Sequence, residues 1–68
     1  MTTALLNAAK DKLFLAKHTT RKNWQDWYAL MDESFTYMRE ALAHATTPKQ
    51  RAACNAMAAD ILAAYRDR

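Results

Sequence analysis

The sequence contains no glycine, one proline and one cysteine. Tight β-hairpin turns depend on residues that tolerate positive φ, glycine above all, so a chain without it is a poor candidate for a β-fold. A glycine-rich phosphate-binding loop is excluded outright. A lone Cys54 cannot close an internal disulfide, and with only two histidines it cannot assemble the usual four-ligand zinc site. A free thiol fits a reducing compartment. The chain also lacks any apolar run long enough to span a bilayer. Its first residues, "MTTALLNAAKDKLFLAKH", have no basic start, and Lys10, Asp11 and Lys12 break up the apolar ones, so they do not read as a secretory signal. The expectation is a cytoplasmic protein without a membrane segment.

What is present points to helix. Alanine, the best helix former, recurs throughout, and 51% hydrophobic with 25% charged residues lies well away from the composition of disordered chains. Sixty-eight residues form one domain, 1–68, near the lower size limit for folding without a disulfide or metal. A core this small supplies roughly 3–5 kcal/mol, and self-association is a common remedy. The class is all-α, a small helical bundle expected to be dimeric.

The sharpest boundary is "ATTPKQ", where Thr47, Pro48 and Gln50 make a capping box with proline at the first helical position. So short a connection makes the helices on either side an antiparallel hairpin. A second boundary falls in "KHTTRKN", where Thr19 or Thr20 can cap a helix. Helices are predicted at about 3–17, 20–45 and 48–66, the first two separate or continuous through a bend. In the second, Trp24, Tyr28, Met31, Phe35, Met38, Leu42 and Ala45 follow alternating steps of four and three, a heptad seam expected to be core or dimer contact. Beside it Trp27, Leu30, Ser34, Tyr37 and Ala41 form a parallel row. Together the rows cover about half the circumference, more than one neighbouring helix needs. The first helix offers Leu5, Leu6, Ala9, Leu13 and Ala16 as its apolar stripe, with Phe14 and Leu15 outside it. The third offers Cys54, Met57, Ala58, Ile61, Leu62 and Tyr65, backed by Ala52, Ala56, Ala59 and Ala63.

The aromatic stretch "RKNWQDWY" follows a basic pair, yet charge argues against nucleic acid stacking there. Residues 1–23 carry a net +4, residues 24–47 a net −3 and residues 48–68 a net +2, so the aromatics lie in the acidic segment, whereas phosphate binding needs interleaved cations. Trp24 and Tyr28 fall on the seam and are expected to be shielded. Trp27, on the edge row, is expected to be accessible and to contact a partner, together with Phe14, Leu15, Leu30 and Tyr37. His18 and His44 sit at helix ends, where a cation is favourable. Ser34 has no base one turn away, and Cys54 has no nearby cation to activate it. No catalytic residue, cofactor site or metal site is expected. The function that fits is a small non-catalytic protein-binding module: a homodimeric adaptor or inhibitor occluding a surface of a larger protein, of the kind found among phage or mobile-element accessory proteins. The alternative is a small nucleic-acid-binding regulator using the basic N-terminal helix.

Overall fold

The computed structural model describes residues 1–67 of the chain, the side chain of Arg21 excepted. Among these residues there are three α-helices and no strand. The helices are α1 (Thr2–Lys17), α2 (Trp24–His44) and α3 (Pro48–Arg66), and one 3-10 turn, Arg21–Asn23, precedes α2.

The connection into α3 follows its sequence signature. The Gln50 backbone N–H donates to Thr47 Oγ1 at 3.1 Å, and Gln50 Oε1 accepts from the backbone N–H of Thr46 at 2.8 Å and of Thr47 at 3.3 Å. Three otherwise unpaired N–H groups thereby find partners, with Pro48 at the first helical position, where it has no N–H to satisfy. The α1–α2 connection differs from expectation. Thr19 Oγ1 donates back to the Leu15 carbonyl at 2.9 Å, which ends α1 rather than starting α2. Thr20 is extended and opens the 3-10 turn. The second α-helix therefore begins at Trp24, not near residue 20, and α1 and α2 are separate helices.

α2 packs against both other helices, most extensively against α1. The core consists of Leu6, Ala9, Leu13 and Ala16 from α1, Trp27, Met31, Met38 and Ala41 from α2, and Cys54, Met57 and Ile61 from α3. The α1 stripe is the expected one. On α2 the buried residues are Trp27, Met31, Ser34, Met38 and Ala41. They too step by four and three, but the seam is rotated from the expected one. Only Met31 and Met38 belong to both. Trp24, Tyr28, Phe35 and Leu42 are exposed and are not core of this chain.

Small residues explain the rotation. Ala9, Ala16, Ser34 and Ala41 are all fully buried, and side chains of this size let two helix axes approach closely. The Ser34 hydroxyl donates to the Ala9 carbonyl oxygen at 2.7 Å, so the polar atom in the seam is satisfied across the helix pair. Burial of a hydroxyl is tolerated only with such a partner. On α3, Cys54, Met57 and Ile61 are buried as expected and Ala58 packs against the core, whereas Leu62 and Tyr65 remain exposed.

Candidate functional site

Viewed down α2 at about 100° per residue, Tyr28, Phe35, Leu42 and Trp24 fall within about 40° of one another, beside the buried seam. They form one row along the outside of the helix. Trp24 is 55% exposed and Phe35 39%, whereas Trp27 is only 4% exposed. Trp27, expected to be accessible, is core, and Trp24, expected to be core or dimer contact, is exposed on this chain and is not core. Leu30 and Tyr37, expected as partner contacts, are half-buried and pack against the core. Of the expected contact residues, Phe14 and Leu15 alone are exposed.

Trp27 organises the aromatic end of the row. Its ring lies 4.9 Å from Tyr28 at 80° and 5.3 Å from Tyr65 at 84°, and Tyr28 in turn meets Trp24 at 6.2 Å and 85°. These are edge-to-face contacts, the arrangement that aromatic quadrupoles favour. A buried ring thus fixes two half-exposed ones, and through Tyr28 it steadies Trp24. Tyr65 also joins α3 to this end, with Leu62 one turn earlier on α3, 63% exposed. Partial burial, followed by the Asp32 carboxylate and then Tyr28, holds the Tyr65 phenol above the ordinary tyrosine pKa. Further along, the Arg39 guanidinium lies 5.9 Å from the Phe35 ring centroid, within cation–π range.

A second apolar patch lies on α1. Phe14, 62% exposed, stacks at a tilt on His18 with centroids 4.4 Å apart, and Leu15 is exposed beside it. The surrounding charge is thin. Lys10 and Lys17 are exposed, but Lys12 reaches across to Glu33, Nζ to Oε2 at 2.8 Å. That hydrogen bond, with the carboxylate charge, raises the Lys12 pKa.

Groups with chemical potential are scattered. The Cys54 thiol is fully buried, and Ser34 spends its hydroxyl on Ala9. His18 and His44 lie at the ends of α1 and α2. A shallow cleft of about 480 Å³ at the α1–α2 junction is lined by His18, Thr19, Asn23, Asp26 and Glu33 among others. No group of three His, Cys, Asp or Glu among the described residues could hold a metal ion, and no helix of theirs is long and apolar enough to cross a membrane.

The role of Ser34 escapes reasoning from hydrophobicity, although its signal is present. Ser34 and Ala41 are seven residues apart on α2, as Ala9 and Ala16 are on α1, a matched pair of small-residue heptads. Comparison with protein-family models, curated proteins and solved structures finds no match to this chain.

Proposed function

We propose that this chain is a small non-catalytic protein-binding module that acts as a homodimer and occludes a surface of a larger protein. The observation that carries the reading is the exposed apolar surplus. With three helices already packed on one another, nine large apolar side chains remain exposed among the described residues. Six of them belong to two groups: the α2 row of Trp24, Tyr28, Phe35 and Leu42, and the Phe14–Leu15 pair on α1. Contiguous exposed apolar surface on a small protein marks interaction sites. In this reading a second copy covers the α2 row, and the α1 patch faces the larger protein. α2 and α3 form an antiparallel hairpin, supported by their short connection and by the Trp27–Tyr65 contact between the start of one helix and the end of the other.

The test is affinity capture from a bacterial lysate, with nuclease and at raised salt, using the wild-type chain and a Phe14→Asp/Leu15→Asp variant. The reading predicts a protein retained by the wild type under both conditions and lost with the variant. Retained material that disappears with nuclease or salt would replace it with nucleic acid binding by the basic N-terminal segment. A captured protein indifferent to Phe14 and Leu15 would refute the α1 patch as the contact.

A further inference from the structure

We infer that the second copy lies antiparallel on the α2 row, about a two-fold axis passing beside Phe35, with Asp32 of each copy paired to Arg39 of the other. The inference rests on the homodimeric reading above and specifies its geometry.

Tyr28, Phe35 and Leu42 are each seven residues apart, so they form one column that a neighbouring helix can follow along its length. An antiparallel neighbour pairs residues whose numbers have a constant sum. Taking Phe35 as its own partner fixes that sum at about 70 and sets Tyr28 against Leu42 of the other copy, twice over. A large aromatic then meets an aliphatic on each side of a central aromatic pair. Because the same patch serves both copies, the contact is isologous and closes at two.

Charge independently selects the same register. On the solvent side of the column, Gln25, Asp32 and Arg39 form a second column, again in steps of seven, turned by about 40–60° from the first at 100° per residue. Asp32 and Arg39 are both exposed. Seven residues along a helix is about 10 Å, too far for the two to pair within one chain, since helical ion pairs form at three or four residues. Their numbers sum to 71, so the axis that stacks Phe35 on Phe35 also brings each Asp32 beside the opposite Arg39. Flanking positions of this kind set partner choice and orientation between paired helices. In a parallel arrangement the Asp32–Arg39 columns of the two copies would lie on opposite flanks of the contact and could not pair. Arg39 already lies over the Phe35 ring, which places its cation at the axis before the second copy arrives.

The test is charge reversal followed by sedimentation equilibrium at low salt. Both residues are exposed, so Arg39→Glu and Asp32→Arg should keep wild-type helicity, which circular dichroism checks, whereas melting is expected to fall as far as the dimer is weakened. Each variant alone puts two like-charge contacts across the axis and should dimerise about tenfold more weakly than wild type. The double variant D32R/R39E restores both pairs with their signs exchanged and should dimerise about as well as wild type, as should an equimolar mixture of the two single variants. A wild-type dimer whose strength is unchanged by either reversal, or that the double variant fails to restore, would overturn the register while leaving the dimer standing. A wild type that stays monomeric into the high micromolar range would overturn the dimeric reading itself.

Discussion

Trp27 is buried in the core and makes edge contacts with Tyr28 on its own helix and Tyr65 on α3, so its removal would empty the junction of the two helices. Trp27→Ala should cost about 3–5 kcal/mol, the range for a buried tryptophan. Trp24→Ala, at a site more than half exposed, should cost less than about 1 kcal/mol in folding. Urea unfolding of the two variants checks the order. Ser34→Ala deletes a neutral hydrogen bond while the Ala9 carbonyl retains its helical donor, so about 0.5–1.5 kcal/mol is expected. Ser34→Leu should be worse despite its hydrophobicity, because a seam built on small residues has no room for it and overpacking costs about 1–3 kcal/mol or more. Tyr65 adds a pH test. Its pKa is raised in the fold, so the folded chain holds that proton more tightly than the unfolded one. The stability this contributes is fully present below the unfolded tyrosine pKa near 10 and is lost as pH rises through the folded value. Tyrosinate absorbance should show a component titrating above the ordinary range, and Tyr65→Phe should remove that component.

At the level of the elements, α3 and α2 begin in contrasting ways. α3 has a complete capping box, so Thr47→Ala should cost about 1 kcal/mol. α2 starts at Trp24, its N-cap Asn23 makes no side-chain cap, and Trp27 in its first turn is buried. This contrast accounts for how much the sequence discloses. Capping is local chemistry, and "TTPKQ" places the start of α3 without reference to anything distant. The α1 stripe is equally legible because its apolar residues leave one phase. The rotation of α2 is not legible in that way. Its apolar residues cover half the circumference, and hydrophobicity alone favours the row with the larger side chains, Trp24, Tyr28, Phe35 and Leu42. Burial went instead to the row with Ser34 and Ala41, where small side chains and a hydroxyl–carbonyl bond allow close approach to α1. The same choice buries Trp27 and leaves Trp24 on the surface of the chain. Met38→Ala, inside the seam, should therefore cost about 2–5 kcal/mol. Phe35→Ala should unfold far less easily and should weaken dimerisation, and parallel melting and sedimentation runs separate the two effects.

The whole molecule is compact but elongated, with principal extents of 40 × 19 × 14 Å and a surface of 4861 Å². A compact chain of this mass exposes about 4,400 Å², so roughly a tenth more surface remains uncovered. The uneven charge fits the same picture. The basic N-terminal segment, the acidic middle and the basic end leave the aromatics in surroundings unsuited to a phosphate backbone, while Asp32 and Arg39 suit a copy of the same surface. The most direct measurement compares iodide quenching of tryptophan fluorescence in the Trp24→Phe and Trp27→Phe variants, each with one remaining tryptophan, across a concentration series. Trp24 should be readily quenched in the dilute chain and become protected as concentration rises, and Trp27 should be shielded throughout. Free quenching of Trp27 in the dilute chain, or quenching of Trp24 that never changes with concentration, would contradict the account.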